Sequence, residues 1–253
     1  MNPALSAPGL ARIRDFVGRR SLLAFDIDGT LAPIVERPWD ARIPDEVQRR
    51  LVAMTASRTL AIITGRAIAD AKPMLAFSPR YLIGNHGAEG VPGFESASAA
   101  YARDCSRWLE VLRREDEAWR AMPGITLEDK AYSIAFHYRQ APSRGAALRV
   151  VEERARQLVP RPRLIHGNCV LNLVPRGAPH KGDALRALLA HSGCERSLYV
   201  GDDVTDEDVF RLKLPAVLSV GIDPEPGSAA DLFLPDQSEV IKLLDEVTTM
   251  IAG

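Results

Sequence analysis

The chain has 253 residues, 46% of them hydrophobic and 26% charged, which supplies enough apolar material for a globular core. Its 32 basic and 33 acidic residues leave a net charge of -1, so we expect no nucleic-acid partner, although a local basic surface can still hold a small anion. Three widely spaced cysteines, no signal-like N-terminus and no run of about 20 apolar residues predict a cytoplasmic protein without a membrane span.

The first part of the chain alternates strands with helices. Short apolar runs, typical of strands buried on both faces, predict strands at 21–26, 59–64 and 81–83. A helix opens at Pro44 and is expected to bury Val47, Leu51 and Val52 on one face. A second helix is expected over 65–76.

The same alternation returns near the C-terminus. It predicts helices at 180–190 and 239–250, and strands at 197–200, 216–220 and 231–234. Alternating strands and helices form parallel sheets with right-handed crossovers. We therefore predict an α/β fold with a Rossmann-like parallel sheet as the core domain, made of residues 1–91 and 176–253.

The middle of the chain has a different order of elements. It predicts helices at 98–120 and 143–159, and strands at 125–127, 132–137, 163–165 and 170–174. A helix followed by two strands, twice over, indicates a small α+β domain with an antiparallel sheet. We place this inserted domain at residues 92–175.

Carboxylates gather where predicted strands end. Asp26 and Asp28 lie two residues apart after one strand, so their side chains should share a face, and Gly201-Asp-Asp203 ends another. Ligands of open α/β sheets bind beyond these strand ends, where repelling carboxylates need a cation or a proton between them. A single aspartate there is usually a helix cap or turn residue, but this set favours a site for Mg²⁺, which prefers oxygen ligands.

Two further positions suit an anion. Thr64, followed by Gly65 and Arg66, lies between a predicted strand and helix, where a hydroxyl and free N–H groups can cradle a phosphate. Lys181 begins another predicted helix and offers a positive charge. Taken singly, Thr64 is equally well explained as a helix N-cap, and Lys181 as a solvated surface lysine.

These four segments together resemble the four motifs of the haloacid-dehalogenase-like phosphatase superfamily. The resemblance implies that Asp26 is a nucleophile that forms an aspartyl-phosphate and that Asp28 is the general acid and then the base. It implies that Thr64 and Lys181 hold the transferred phosphoryl group. It also implies a Mg²⁺ site, with supporting acids, formed by Asp26, the main-chain carbonyl of Asp28, Asp202, Asp203 and Asp206.

The inserted domain resembles a type IIB cap, which implies a small-molecule substrate. Three segments are similar to the trehalose-6-phosphate phosphatase family: Gly201-Asp-Asp-Val-Thr-Asp-Glu-Asp208, Gly84-Asn-His-Gly-Ala-Glu89, and Glu128-Asp-Lys130 with Ser133, His137, Tyr138 and Arg139. In that family the cap's Glu and Lys bind sugar hydroxyls. The expected substrate-binding set is Gly65, Arg66, Asn85, His86, Glu128, Lys130, His137, Arg139 and Asn172.

Five of these residues also have a structural explanation. His86 fits a turn, His137 and Arg139 fit an exposed edge strand, and Glu128 with Lys130 fits a surface ion pair worth less than about 1 kcal/mol.

One departure from the family pattern leaves the substrate open. Asn172 stands where the family usually has a glutamate that helps bind the sugar, and Val174 stands where it has a basic residue. We expect trehalose 6-phosphate as the substrate, with another phosphorylated disaccharide or a glycosyl-phosphoglycerate as the alternative. A phosphomutase and a non-catalytic sugar-phosphate sensor are further alternatives, and we expect a monomer.

Overall fold

The computed structural model describes residues 1–114, 119 and 121–252. The chain divides into two compact units. We call residues 1–92 with the chain from His180 onward the core unit, and residues 93–179 the cap unit. The joins expected from sequence, after residues 91 and 175, differ from these by one and four residues.

A seven-stranded parallel sheet forms the centre of the core unit, in the order β1-β11-β10-β9-β2-β3-β4. Its strands are β1 Asn2–Pro3, β2 Ser21–Phe25, β3 Thr59–Ile63, β4 Tyr81–Ile83, β9 Arg196–Gly201, β10 Val217–Ile222 and β11 Leu232–Leu234. All five residues of β2 are buried, as expected for a central strand covered on both faces. The predicted Rossmann-like α/β core is confirmed.

Helices accompany this sheet. They are α1 Ala7–Phe16, α2 Asp45–Thr55, α3 Ile68–Ala71, α6 Lys181–Ser192, α7 Glu207–Phe210 and α8 Val240–Ala252. The predicted helix at 65–76 is wrong: only α3 and a 3₁₀ turn at Lys72–Met74 form there. Pro73 lacks an N–H for the helical ladder, and Gly65 and Arg66 belong to a turn.

The buried face of α2 also differs from the prediction. Val47, Leu51 and Met54 are buried, whereas Val52 is 43% exposed. Positions separated by four and three residues share a face of a helix, so Met54 and not Val52 continues the stripe that begins at Val47.

The cap unit holds a four-stranded antiparallel sheet in the order β5-β6-β8-β7. Its elements are α4 Glu95–Arg114, β5 Thr126–Asp129, β6 Ile134–His137, α5 Arg144–Gln157, β7 Arg163–Gly167 and β8 Val170–Val174. The predicted α+β arrangement with an antiparallel sheet is confirmed. The end of the predicted helix 98–120 falls partly on residues 115–118 and 120, which lie outside the described residues. No helix in the described part of the chain is both long and apolar enough to span a membrane.

The strand order brings three predicted motifs to one edge of the core sheet. Strands β9, β2 and β3 are neighbours, so Asp202, Asp26 and Thr64 follow adjacent strand ends. Helix α6 packs against β2 and β3, and it begins at Lys181. A capping box between His180 and Asp183 fixes that start. Four segments far apart in the sequence therefore meet at the carboxyl end of the sheet.

Candidate active site

Asp26 and Lys181 form the centre of the site. Asp26 is 5% exposed and Lys181 is 1% exposed, and Lys181 Nζ lies 2.9 Å from Asp26 Oδ2. The other carboxylate oxygen, Asp26 Oδ1, is buried and has no hydrogen-bond partner among the described residues. One oxygen of this carboxylate is thus held by the protein, and the other is left for an external group.

Asp206 accepts hydrogen bonds from four donors around the site. Its Oδ1 accepts hydrogen bonds from Lys181 Nζ at 2.8 Å and from the Tyr199 hydroxyl, and its Oδ2 accepts them from the main-chain N–H groups of Asp202 and Asp203 at 3.1 and 2.9 Å. Four donors use the lone-pair capacity of one carboxylate. Gly201 permits this arrangement, because a Cβ there would lie 2.3 Å from Asp206 Cγ.

Asp202 is fixed by the first motif. Thr30 Oγ1 donates a hydrogen bond to Asp202 Oδ1 at 2.8 Å, and Gln237 Nε2 donates to the Thr30 carbonyl at 3.0 Å. Gly29 has φ of 81°, and a Cβ on it would lie 1.9 Å from Asp202 Oδ2. Only glycine leaves room for this carboxylate beside a left-handed backbone.

Burial and mutual repulsion disfavour the ionised forms of these acids. Burial, with Asp206 and Asp28 nearby, raises the pKa of Asp26 to about 7 even though Lys181 opposes the shift. Burial and the charges of Asp26 and Asp206 raise the pKa of Asp202 to about 8, and burial also raises the pKa of Asp203. Burial lowers the pKa of Lys181, but its two acid partners outweigh this effect and the net shift is upward.

The acid cluster fits a divalent cation. Asp26, Asp202 and Asp206 each place a carboxylate oxygen within 4.8 Å of the other two, and Asp206 already accepts four hydrogen bonds. Hard oxygen donors suit Mg²⁺, and a cation would offset the repulsion that raises the two pKa values.

Asp28 has a different environment from Asp26. Its carboxylate forms a two-pronged ion pair with Arg66, with Arg66 Nε 2.6 Å from Oδ2 and Nη2 2.5 Å from Oδ1. Arg66 Nη2 also donates to the Pro38 carbonyl at 2.8 Å. Although burial lowers the pKa of Arg66, its bond and attraction to Asp28 outweigh this and raise it. The Asp28 side chain remains 39% exposed, so it stays accessible to a ligand.

The Thr64 segment is a turn that is held by the loop after β4. Thr64 is fully buried, and Arg66 N donates to its hydroxyl at 3.3 Å. Asn85 and His86 have φ of 51° and 58°, and their N–H groups donate to the carbonyls of Arg66 and Thr64. A Cβ on Gly65 would lie 2.4 Å from His86 Cε1, so the imidazole packs against this turn.

Glu89 completes this loop and was not predicted from sequence. Its Oε2 accepts hydrogen bonds from the Asn85 side chain at 2.8 Å and from Ile68 N at 2.9 Å. The N–H groups near Thr64 therefore belong to a turn that is held by hydrogen bonds to the loop after β4. The helix expected to begin at Gly65 does not form there, since α3 begins at Ile68.

In the cap unit, several predicted sugar-binding residues lie together on one sheet. His137 Nε2 is 2.6 Å from Glu128 Oε2, and Lys130 Nζ is 3.9 Å from the same oxygen. Register pairs Glu128 with Ala135 and Ala135 with Asn172, so Asn172 shares their face. Asn172 is 4% exposed, and its Oδ1 has no hydrogen-bond partner in the described structure.

Arg139 lies beyond the end of β6. Its Nη2 donates to the main-chain carbonyl of Asn168 at 3.0 Å. This bond ties the arginine to the turn before β8.

The sequence was compared with models of known protein families and with known proteins. The model of the trehalose-phosphatase family matches residues 24–237, which includes every motif described above. The chain belongs to the trehalose-phosphatase family. It is 34% identical to trehalose-6-phosphate phosphatase of Escherichia coli over 195 residues, which are 74% of this chain and 71% of that protein.

Two further comparisons cover more of the chain. A probable trehalose-phosphate phosphatase of Sinorhizobium fredii is 33% identical over 89% of both chains. The C-terminal domain of C. albicans trehalose-6-phosphate phosphatase superposes with a TM-score of 0.75, at 22% identity over 98% of both chains, which shows a shared fold. Membership of the trehalose-phosphatase family makes this chain an enzyme of the phosphoric monoester hydrolase class.

Sequence reasoning also missed a polar group next to the acid cluster. Tyr199 is fully buried in β9, and its hydroxyl donates to Asp206. A tyrosine within the otherwise apolar run 197–200, just before the Gly-Asp-Asp motif, was the available signal, because a buried phenol usually has a hydrogen-bond partner.

Proposed function

We propose that this member of the trehalose-phosphatase family hydrolyses trehalose 6-phosphate to trehalose and phosphate through an aspartyl-phosphate on Asp26. The observation that carries the proposal is the divided environment of Asp26. Lys181 binds one carboxylate oxygen, and the buried Oδ1 has no hydrogen-bond partner in the described residues. Asp26 Oδ1 is therefore the oxygen available as the nucleophile.

Asp26, Asp202 and the main-chain carbonyl of Asp28 would hold Mg²⁺, with Asp203 and Asp206 as supporting acids. The ion would offset the charge repulsion between a carboxylate and a phosphate dianion. The four donors on Asp206 support a positioning role for it, because they leave little capacity for a metal.

The chain's own residues supply the remaining steps. Asp26 Oδ1 attacks phosphorus, and Lys181 and the turn at Thr64 and Gly65 bind the phosphoryl oxygens. Asp28 protonates the departing sugar oxygen as the bond between phosphorus and that oxygen breaks. Asp28 then removes a proton from a water that attacks the same phosphorus and releases phosphate, which regenerates Asp26.

The ion pair between Arg66 and Asp28 affects the proton transfers assigned to Asp28. Both Asp28 oxygens accept hydrogen bonds from the guanidinium, so Asp28 has to release at least one of these bonds and take up a proton from solvent before it can protonate the sugar oxygen. We propose that the arriving phosphate draws Arg66 away from Asp28, because a guanidinium also binds phosphate by two parallel hydrogen bonds.

For the sugar, we propose binding by Glu128, Lys130, His137 and Asn172, with Arg139, Asn85 and His86 in supporting positions. Glu128 and His137 already form a hydrogen bond, and the oxygen of Asn172 that lacks one offers an acceptor for a hydroxyl. A second phosphorylated disaccharide stays a candidate substrate, because Asn172 is neutral where the family usually has an acid.

Phosphate release from a panel of phosphosugars tests this function. We expect kcat/KM for trehalose 6-phosphate to exceed the value for sucrose 6-phosphate and for glucosyl-phosphoglycerate. Removal of metal with EDTA should abolish turnover and Mg²⁺ should restore it. A higher kcat/KM for another disaccharide phosphate would replace the proposed substrate without changing the chemistry.

The covalent step needs its own test. Asp26→Asn should lose turnover and keep its circular dichroism spectrum, and the wild type quenched in acid should retain a phosphoryl group that hydroxylamine releases. Full activity in Asp26→Asn would refute the covalent mechanism. We also propose that the 253-residue chain is a monomer, which light scattering during gel filtration would test.

A further inference from the structure

The cap unit contains a cleft that the phosphatase chemistry does not use. It has a volume of about 420 Å³ and is bordered by four arginines, Arg156, Arg161, Arg163 and Arg176. Ala155 and Pro162, both buried, lie in its wall. This volume is within the range of small-molecule sites, which is roughly 300–1,000 Å³.

Four separate parts of the cap unit supply these arginines. Arg156 lies in the last turn of α5, Arg161 in the following linker, Arg163 at the first position of β7, and Arg176 just after β8. The surrounding sequence is strongly basic, since residues 139–179 hold eight arginines and no lysine against two glutamates. Four of these arginines, and so much of the positive charge, border the one cleft.

Among the described residues, one acid forms an ion pair with these arginines. Arg156 forms an ion pair with Glu152, which also lies 3.4 Å from His166 Nε2. Arg163 donates to the Pro179 carbonyl at 3.5 Å. Arg161 and Arg176 are exposed and form no ion pair among the described residues. The C-terminus of α5 adds about half a negative charge, which is small against four guanidiniums.

We propose that this arginine cleft is a second anion site, which binds a compact ligand that carries two or more phosphate groups. Guanidinium groups bind phosphate oxygens in pairs and keep their charge at every physiological pH. Several of them around one cleft favour a ligand with several phosphates over inorganic phosphate. The concave shape and limited extent of the basic surface fit such a ligand better than an extended nucleic-acid backbone.

Titration calorimetry with inorganic tripolyphosphate tests the proposal. The whole protein is used at 0.15 M salt with EDTA, and inorganic phosphate is the comparison ligand. The test variant is Arg161→Gln with Arg176→Gln. The matched control is Arg103→Gln with Arg149→Gln, which removes two exposed arginines of the same unit that do not border the cleft.

The wild type and the control should bind tripolyphosphate with similar affinity, and the cleft variant should bind it at least about tenfold more weakly, since each lost charge-assisted contact is a substantial fraction of the affinity. All three proteins should have the same kcat/KM for the phosphosugar in the absence of tripolyphosphate. Equal affinities in the three proteins, or equal losses in both variants, would overturn the proposal.

Chemical labelling gives a second readout on the unmodified protein. Tripolyphosphate should protect Arg161 and Arg176 from phenylglyoxal, and should leave Arg103 and Arg149 at their unliganded labelling rates. Protection of all four arginines to the same degree, or of none, would contradict the assignment. Both measurements are independent of the identity of the sugar substrate.

Discussion

Replacement of Tyr199 by phenylalanine isolates the hydroxyl that sequence analysis missed. The ring of Tyr199 is fully buried and packs edge-on against Phe210, with centroids 6.2 Å apart, so the variant keeps this contact. Only the hydrogen bond to Asp206 Oδ1 is lost, and Lys181 remains on that oxygen. A hydrogen bond to a charged group contributes about 1.5–3 kcal/mol. We expect the free energy of unfolding to fall by about 2 kcal/mol on that basis.

Urea denaturation in EDTA, followed by circular dichroism, measures this change. The control is Tyr81→Phe in the same unit, because the Tyr81 hydroxyl forms no hydrogen bond among the described residues, and its midpoint should stay close to that of the wild type. Since Lys181 keeps both acid partners in Tyr199→Phe, kcat should fall by less than about tenfold, which corresponds to about 1.4 kcal/mol. A stability loss below about 0.5 kcal/mol, the usual range of surface substitutions, would show that Asp206 does not depend on this donor.

Three further predictions address the acid cluster and the cap. Gly29→Ala places a Cβ 1.9 Å from Asp202 Oδ2, so kcat/KM should fall by about 100-fold or more, as expected for displaced catalytic groups. The control is Gly193→Ala, where φ is 69° and no atom lies within 4 Å of the added Cβ. It should carry similar backbone strain and keep kcat/KM. The folded protein raises the pKa of Asp26 to about 7 and that of Asp202 to about 8, so it favours their protonated forms. Their contribution to the free energy of unfolding is fully present below the unfolded pKa of about 3.9 and is lost as pH rises through the raised values. Mg²⁺ should therefore raise Tm more at pH 8 than at pH 5, and an equal rise at both values, or the same pH dependence in Asp202→Asn, would contradict this reasoning. Burial raises the pKa of Cys105 to about 12, so iodoacetamide at pH 8 should label the half-buried Cys194 well before Cys105 in peptide maps, and equal rates would show that Cys105 is accessible.

The sequence predicts the core sheet well because its strands are locally distinctive. Runs such as the one at 21–25 are almost entirely apolar, and each is followed by a short polar motif. Both the strand and the position of its carboxyl end can therefore be predicted from sequence. The meeting of Asp26, Thr64 and Asp202 at one edge then follows from parallel strand order. Lys181 begins a helix, and its place in the site was implied by the resemblance to known phosphatases.

The contacts inside the site are less predictable, because they depend on distances across the fold. Nothing local pairs Arg66 with Asp28, which is 38 residues earlier, or Thr30 with Asp202, which is 172 residues later. The turn at Gly65 was predicted as helix because the following residues have helical propensity. The loop after β4 overrides that propensity, since Asn85 N and His86 N take the Arg66 and Thr64 carbonyls that a helix starting there would use.

The charges at the edge of the sheet explain why a divalent ion suits this arrangement. The carboxylates of the buried Asp26 and Asp206 and of the half-buried Asp202 lie near one ammonium, that of Lys181, which leaves an excess of two negative charges when all are ionised. The protein satisfies Asp206 with four of its own donors and leaves one oxygen of Asp26 without any in the described residues. Because burying unpaired charge is costly, a divalent cation held by Asp26 and Asp202 would offset this excess of two negative charges.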